Sequence, residues 1–354
     1  MATGAAMLAV QIGRREKPAP HAIAWLLAGA VAWGVLQQVF ATTLYRHATE
    51  TWTLAWLANL TAFSLARRLA RDGAEALLDA LLVFGVAVAV VGTVQAFTSP
   101  GKVFGLFESG YRDLVMGPFV YHNQYAAFVE LLLPVALARS LFDTRQRLIF
   151  ALAAAFLYAS VIASGSRAGA LLVTAEVVAL VAMAGWKDRR AALGPLALVA
   201  VAMAVSVMAL GPDTLQRRLG AGFSGGRIEY WKASAAMLAD HPLAGVGLGN
   251  WPLAYPRYAT ADDGLIANQA HSEWVEWSCE GGLPFLAILL AIAALSAKPA
   301  IASRWGLGII AFWLHCAVDY PTRRPAIAVF FFAFLGLVTV WRRMGQTRTG
   351  DEVT

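Results

Sequence analysis

The chain has 354 residues, of which 59% are hydrophobic and only 14% are charged, and its mean hydropathy is +0.60. Soluble globular domains carry about 25% charged residues, so this composition excludes an ordinary soluble globule and predicts an all-α, polytopic membrane protein. The net charge of +6 comes largely from basic residues in short loops, so we expect no nucleic-acid partner.

Apolar runs of about 16 to 25 residues, separated by polar or basic segments, predict about ten transmembrane helices. In chain order these runs cover residues 21–43, 51–66, 75–96, 120–141, 148–163, 168–186, 193–210, 283–297, 301–320 and 325–341. The second, fifth and eighth runs are short, which leaves the count open by one or two.

The distribution of basic residues predicts how the chain is oriented in the membrane. If the N-terminus is cytoplasmic, the larger share of the 28 lysines and arginines falls in short connections on the cytoplasmic side. The positive-inside rule then places both termini in the cytoplasm. The long connection between the seventh and eighth runs, residues 211–282, is expected on the outer face.

This connection is unusually long for so apolar a chain. It holds the segments GGRIEYWKASAAMLADHPLAGVGLGN and AHSEWVEWSCEGGLP. Loops longer than about 15 residues usually bind, catalyse or are disordered. Because the connection contains tryptophan, tyrosine and helical spacing, we expect it to bind or catalyse.

An amphipathic helix is predicted over residues 226–240 of the connection, ended by Pro242. Its expected apolar stripe consists of Ile228, Trp231, Ala235 and Leu238. Arg227 lies in the first turn, where free backbone N–H groups and a guanidinium together match phosphate oxygens. The alternative is an arginine that faces lipid headgroups from an interfacial helix.

Two further residues are candidates on the outer side. Arg167 lies in the short connection SGSRAGA, where it binds phosphate or simply snorkels from a helix end. His271 lies at the membrane edge and titrates near neutral pH, so it is either a general base or an ordinary exposed histidine. Glu280 follows nine residues later, half a helical turn out of phase, and is not expected to orient His271.

The sequence offers no sign of a cofactor or a metal. Its cysteines, Cys279 and Cys316, are too few for a disulfide framework and have no neighbouring ligands with metal spacing. The GVGLGN segment lacks the preceding strand and third spaced glycine of a dinucleotide-binding loop. We interpret it as a turn.

Several ordered blocks resemble the O-antigen ligase and polymerase superfamily. They are GPFVYHNQYAAFVELLLPVALA, SGSRAGALL, GRIEYWKASAAMLADHPLAGVGLGNW, AHSEWVEWSCEGGLPFL and HCAVDYPTRRPAIAVFFFAFLGL. The resemblance covers residues 117–337. It implies a division into N-terminal transmembrane helices (1–116), a ligase- or polymerase-like core that includes the loop 211–282 (117–345), and a short cytoplasmic tail (346–354).

The resemblance also implies a function. Members of this superfamily are metal-independent, inverting membrane glycosyltransferases of the GT-C type, with the active site on the periplasmic face of the bacterial inner membrane. Their donor is an undecaprenyl-diphosphate-linked glycan, and their acceptor is the lipid A core or a growing polysaccharide. By position, Arg167 and Arg227 match arginines that hold the diphosphate, and His271 matches the histidine that activates the acceptor hydroxyl.

Two other functional classes stay open at this point. Glu130 and Glu176 fall near the middle of apolar runs, where a carboxylate often marks an ion path, so a transporter or lipid-glycan flippase is the main alternative. A non-catalytic subunit of a polysaccharide export complex is the other. The sequence does not decide between ligase and polymerase.

Overall fold

The structure is a computed structural model that describes residues 21–110, 115–142, 146–185, 226–260 and 266–347, with residues 193, 194, 196–201, 204 and 208. Eight of the 18 residues of the predicted seventh span (193–210), the first part of the long connection (211–225) and the tail after residue 347 lie outside the described residues.

The described part of the chain is built almost entirely of helices. Its ten α-helices are α1 (Ala22–Val39), α2 (Arg46–Thr98), α3 (His122–Phe142), α4 (Arg147–Ser164), α5 (Arg167–Gly185), α6 (Arg227–Asp240), α7 (Trp251–Ala254), α8 (Glu273–Ala302), α9 (Leu307–His315) and α10 (Pro325–Thr347). Short 3-10 helices cover Tyr255–Arg257 and Pro321–Arg323. An antiparallel hairpin joins β1 (Lys102–Val103) to β2 (Phe107–Glu108).

Six helical segments of the described chain are long and apolar enough to cross a membrane. They are Ala22–Val39, Gly73–Thr98, His122–Phe142, Arg147–Ser164, Arg167–Ala184 and Glu273–Ala302. A multi-pass helical membrane protein is therefore confirmed. The count of about ten spans stays a prediction.

The extent of some predicted spans was wrong. The second and third runs form one helix, α2, interrupted only at Gly73. The predicted span 301–320 contains the last two residues of α8 and the nine residues of α9. The chain turns after His315 towards Tyr320, which precedes a proline and so disfavours helix. Conversely, α8 begins ten residues before the predicted start at 283.

Helix α3 lies at the centre of the bundle. In its membrane span 89% of the residues are buried, against 28% in the spans of α1 and α8, and it packs against α4, α5 and α9. Gly308 lets α9 approach it closely, because a Cβ there would lie 2.3 Å from the Glu130 carbonyl oxygen. Tyr121, which belongs to the polar site described below, directly precedes this most buried helix.

The long connection has a small core of its own. It is formed by Ala233, Met237, Val246, Trp251, Ala254, Tyr255, Ala270 and Cys279. The apolar stripe expected for α6 was wrong, because Ile228 is 54% exposed. The buried face carries Ser234, whose hydroxyl accepts a hydrogen bond from Trp251 Nε1 at 2.9 Å. Contacts with residues far along the chain, rather than the spacing within α6, decide which face is buried.

A break in α8 creates the docking point for this core. Gly282 has φ 69° and ψ −176°, a conformation that essentially only glycine adopts. Beyond it, Leu283 N donates to Pro242 O at 2.8 Å, and Pro284 has no N–H to donate. The carbonyl groups one helical turn earlier therefore lose their partners within the helix.

Those carbonyl groups bind the glycine-rich segment instead. Cys279 O accepts from Val246 N and Glu280 O accepts from Gly247 N, both at 2.9 Å. Gln37 in α1 also donates to Glu280 O at 2.8 Å. The GVGLGN segment is thus a turn, as expected, and it fixes the long connection to α1 and α8.

Asn250, the last residue of that segment, joins it to the connection between α1 and α2. Its Nδ2 donates to the hydroxyl oxygens of Thr43 and Thr49, each at 3.0 Å. Its Oδ1 accepts from Tyr45 N at 2.9 Å. Asn250 is completely buried, so these bonds fix the position of the long connection relative to α1 and α2.

Candidate active site

Arg167 is the first residue of α5, directly after a tight turn from α4. Gly165 has φ 75° and ends α4, and Ser166 Oγ accepts from Gly169 N at 3.1 Å, as a helix cap does. Gly165 thus forms the turn and Ser166 caps the first turn of α5. They hold Arg167 at the N-terminal end of α5, next to α3.

Arg227 is the first residue of α6 and follows Gly226, which has φ 75° and provides no side-chain cap. Its guanidinium donates a hydrogen bond to the hydroxyl oxygen of Tyr121. The positive end of the α6 helix dipole and the positive charge of Arg227 therefore both lie at the N-terminus of α6.

His271 lies just before α8 in a left-handed conformation, with φ 53°. Left-handed residues other than glycine are uncommon and concentrate at functional sites. The His271 ring stacks on Tyr230 with centroids 6.2 Å apart. Its ring centroid also lies 5.1 Å from that of Tyr320 and 6.5 Å from that of Tyr121, both in an edge-to-face arrangement. Three tyrosines from three separate segments therefore fix the position of the imidazole.

The surroundings of His271 favour a neutral imidazole. Burial lowers the pKa of His271, the Asp319 carboxylate opposes this change, and the Arg227 charge adds to it. Its Nδ1 is buried and has no hydrogen-bond partner among the described residues. A neutral ring with an unpartnered nitrogen can accept a proton.

Tyr121 connects all three candidates that the sequence identified. Burial and the Asp319 carboxylate raise the pKa of Tyr121 to about 12, while Arg227 and Arg167 act in the opposite direction. The phenol is therefore protonated at neutral pH and lies within electrostatic reach of both arginines. Arg167, Arg227 and His271 therefore all lie near Tyr121, the two arginines through their charge and His271 through its ring.

Asp319 and Tyr320 were not assigned any role from the sequence. The Tyr320 ring lies parallel to that of Tyr121, at 4° and 6.1 Å. Asp319 Oδ1 accepts from Tyr320 N at 2.9 Å, and its Oδ2 is buried without a partner in the described chain. A carboxylate followed by Tyr-Pro at the outer end of a span was the signal that could have identified this pair.

Below the site, a buried ion-pair network joins α8 to the turn before α10. Arg323 Nη2 lies 2.7 Å from Glu280 Oε2, and Arg323 Nε lies 3.1 Å from Glu276 Oε1. The guanidinium also covers the Trp52 ring at 4.6 Å. Glu280 is thus bound to Arg323, consistent with the expectation that it does not orient His271.

The same network positions the backbone around His271. Glu276 Oε2 accepts from Ala270 N at 2.9 Å, and Glu273 accepts from the Thr322 hydroxyl group at 2.6 Å. Ala270 directly precedes His271, and Thr322 follows Tyr320 by two residues. Carboxylates of α8 therefore hold both the backbone before His271 and the segment that carries Tyr320.

The two intramembrane carboxylates, Glu130 and Glu176, form a second buried group, and the charge of Asp319 acts on Glu130 and on its partner His315. Glu130 Oε1 lies 2.7 Å from His315 Nδ1, and both side chains are completely buried. Glu176 is close enough for its charge to interact with that of Glu130, and neither of its carboxylate oxygens has a partner among the described residues. Glu130 is therefore paired with His315 inside the bundle, while Oε2 of Glu130 and Nε2 of His315 have no hydrogen-bond partner among the described residues.

Fold and site together define a multi-pass membrane protein with a polar site, rich in arginine and tyrosine, that is built from α3, α5, α6 and the segments flanking α8 and α10. Residues 150–290 match the family model described as O-antigen ligase. This match confirms the resemblance to the O-antigen ligase and polymerase superfamily, and it includes Arg167, Arg227 and His271. No curated protein matches the chain.

Proposed function

We propose that this protein is a membrane glycosyltransferase of the ligase or polymerase type. It transfers a glycan from an undecaprenyl-diphosphate donor to a sugar hydroxyl group, on the periplasmic face of the bacterial inner membrane. The acceptor is the sugar of a lipid A core in the case of a ligase, or the end of a growing polysaccharide in the case of a polymerase.

One observation carries this proposal: Tyr121 lies within reach of both Arg167 and Arg227, and Arg227 also acts on His271. Two guanidinium groups whose charges both act on one hydroxyl group suit a dianionic ligand such as a diphosphate. A neutral histidine next to these arginines is in the position that a general base for the acceptor hydroxyl group requires.

The arginines supply the electrostatic part of the reaction. When the bond between the anomeric carbon and the diphosphate oxygen breaks, negative charge accumulates on the departing diphosphate. Fixed donors aimed at developing charge lower the barrier, and guanidinium groups bind phosphate oxygens with two parallel hydrogen bonds. We therefore propose that Arg167, Arg227 and the Tyr121 hydroxyl group stabilise the leaving group, with no metal required.

His271 supplies the base. The acceptor hydroxyl oxygen attacks the anomeric carbon from the face opposite the diphosphate, and its proton passes to the imidazole as the new glycosidic bond forms. Attack from that face inverts the anomeric configuration. The Asp319 carboxylate lies near enough to stabilise the imidazolium that results.

The proposal is tested with purified protein in liposomes, supplied with a synthetic undecaprenyl-diphosphate oligosaccharide and a soluble sugar acceptor. We expect acceptor-linked glycan of inverted configuration, formed equally well with and without a chelator. Movement of the donor across the bilayer with no glycosidic bond formed would instead support a flippase. Loss of product on chelation would contradict a metal-independent reaction.

A further inference from the structure

Three buried ionisable side chains, Glu130, His315 and Asp319, connect the candidate site with the centre of the helix bundle. We call them the buried triad. The charge of Asp319 acts on His271, and it also acts on His315 and on Glu130. Each member of the buried triad has at most 1% of its surface exposed. Water therefore screens these charges little, and they affect one another strongly.

His315 is the middle member of the buried triad. It is the last residue of α9, and Asp319 N donates to His315 O at 2.9 Å, so the two residues lie one helical turn apart. On its other side, His315 Nδ1 lies 2.7 Å from Glu130 Oε1 in α3. His315 thus stands between a carboxylate of the central helix and the carboxylate next to His271.

The surroundings of His315 favour the doubly protonated, cationic form of its ring. The carboxylates of Glu130, Asp319 and Glu273 all act on it through their charge. Nearby opposite charges favour the charged form of a histidine, whereas burial opposes it. Buried carboxylates are costly unless they are paired with a cation, so one cation among three carboxylates offsets part of that cost.

Other titratable or charged groups near the buried triad and His271 are Glu176 in α5, Arg227 in α6, Glu273 in α8, and Tyr121, Cys316 and Tyr320. Phenols and thiols ordinarily titrate above about pH 8, so the last three carry no charge at neutral pH. Arg227 is the cation of these six, and it acts on His271 itself. Within the bundle, His315 is therefore the cation that Asp319 has nearby.

Two open atoms of the buried triad are chemically complementary. His315 Nε2 and Asp319 Oδ2 are both buried and have no hydrogen-bond partner among the described residues. A cationic imidazole carries a proton on each nitrogen. With Nδ1 bound to Glu130, Nε2 presents a second N–H group, and Asp319 presents an acceptor one helical turn away.

We propose that Glu130 and His315 are a positioning pair for the base: Glu130 holds His315 as an imidazolium, and this cation keeps Asp319 ionised beside His271. Charge then alternates from carboxylate to imidazolium to carboxylate, up to the imidazole that accepts the proton. The inference rests on the proposed function only where it calls His271 the base. It connects the intramembrane Glu130 to the candidate active site rather than to an ion path.

The first test is ¹⁵N NMR of the purified full-length protein in detergent, with its six histidines labelled and without donor or acceptor. Nitrogen chemical shifts distinguish a doubly protonated ring from a neutral one. The signals of His315 are those that disappear in His315→Gln. We expect them to be those of a doubly protonated ring at neutral pH, and a neutral His315 ring in the unmodified protein would overturn the proposal.

The second test is the variant Glu130→Gln, which removes a charge and keeps the size of the side chain. His315 should become neutral, and Asp319, without its cation, should take up a proton. Because the Asp319 carboxylate raises the pKa of His271, the titration midpoint of His271 should then fall, by about one pH unit. The signals of His271 are identified by their loss in His271→Asn.

Glu176→Gln is the matched control, because it makes the same change at a buried carboxylate that has no partner in the described chain. It should leave the midpoint of His271 in place. A pair with a merely structural role would lower the Tm of Glu130→Gln without moving that midpoint, and this result would contradict the proposal.

A double variant tests whether Glu130 acts through Asp319. The charges that act on His271 are those of Asp319 and Arg227, so an effect of Glu130 has to pass through Asp319. In protein that already carries Asp319→Asn, Glu130→Gln should therefore leave the midpoint of His271 unchanged. A further fall of the same size would show that Glu130 acts without Asp319, and the proposal would be wrong.

These outcomes are independent of the proposed function, because the NMR measurements involve no glycan transfer. If Glu130→Gln moves the His271 midpoint and no glycan is transferred by the unmodified protein, the pair still acts on His271 and the proposed function fails. If glycan is transferred and the midpoint stays in place in Glu130→Gln, the proposed function stands and this inference fails.

Discussion

At the level of single residues, the acidic limb of the pH profile should report on His271. Burial lowers the pKa of this imidazole below its ordinary value of 6.5. The neutral form is the base, so activity should be complete above that value and should be lost as the pH falls through the lowered pKa. Measuring kcat/KM against pH in the reconstituted system locates the limb.

Asp319→Asn should move this limb to lower pH. The Asp319 carboxylate raises the pKa of His271, so its removal lowers that pKa further, whatever happens to the overall rate. Glu229→Gln is the control, because Glu229 is an acid on α6 whose carboxylate bonds to Lys232 and Thr260. A limb that stays in place in Asp319→Asn would show that Asp319 does not act on His271.

Replacement of Arg227 by lysine should weaken use of the donor. Lysine keeps the charge and loses the planar pair of donors. A charge-assisted hydrogen bond contributes about 1.5 to 3 kcal/mol, so KM for the donor should rise roughly 10- to 100-fold. Steady-state kinetics of Arg227→Lys measure this change.

The matched control is Arg257→Lys, which alters an exposed arginine in the same outer loop. It should leave KM for the donor unchanged. If both lysine variants behave like the unmodified protein, Arg227 does not bind the donor diphosphate through its planar guanidinium.

At the level of elements, the break in α8 should be needed for stability. A Cβ at Gly282 would lie 2.3 Å from the Leu243 carbonyl oxygen, and the conformation itself costs a non-glycine residue about 1 to 3 kcal/mol. Gly282→Ala should therefore lower the Tm by several degrees. Gly29→Ala in α1 is the control, since the nearest atom to its Cβ would be 3.8 Å away; an equal Tm for both variants would contradict this role.

The bounds of α6 could be predicted from the sequence, and its buried face could not. The glycine before Arg227 and the proline two residues after Asp240 mark the two ends of a helix, whichever of its faces is buried. Which side of α6 faces inward depends on Trp251, which lies later in the chain and donates a hydrogen bond to the Ser234 hydroxyl oxygen. Local spacing carries no information about such a partner.

The candidate site, too, could be predicted only in part from the sequence. Arg167, Arg227 and His271 were identified from their positions and the family resemblance. Asp319 and Tyr320 were missed, because their role depends on the outer ends of α3, α6 and α9 meeting at one place. The pairing of Arg323 with Glu280 was likewise not predictable, since it joins residues 43 positions apart.

At the level of the whole molecule, the orientation in the membrane is still a prediction and can be measured directly. The native cysteines Cys279 and Cys316 are both buried, so introduced cysteines will dominate labelling. Ala259→Cys lies exposed in the outer loop, and Ala302→Cys lies exposed at the end of α8. A membrane-impermeant thiol reagent applied from the periplasm should label only Ala259→Cys; labelling only Ala302→Cys would reverse the topology and exclude a periplasmic site.

The central claim, that His271 is the base of a glycan transfer, is tested most directly with His271→Asn in the reconstituted assay. Asparagine tolerates the left-handed backbone of this position, so the variant removes the base and preserves the fold. Positioned bases contribute about 10² to 10⁴ in rate. We expect His271→Asn to slow transfer by that factor at saturating donor and acceptor, while undecaprenyl diphosphate binds as tightly as before. Transfer at the unmodified rate would contradict the account.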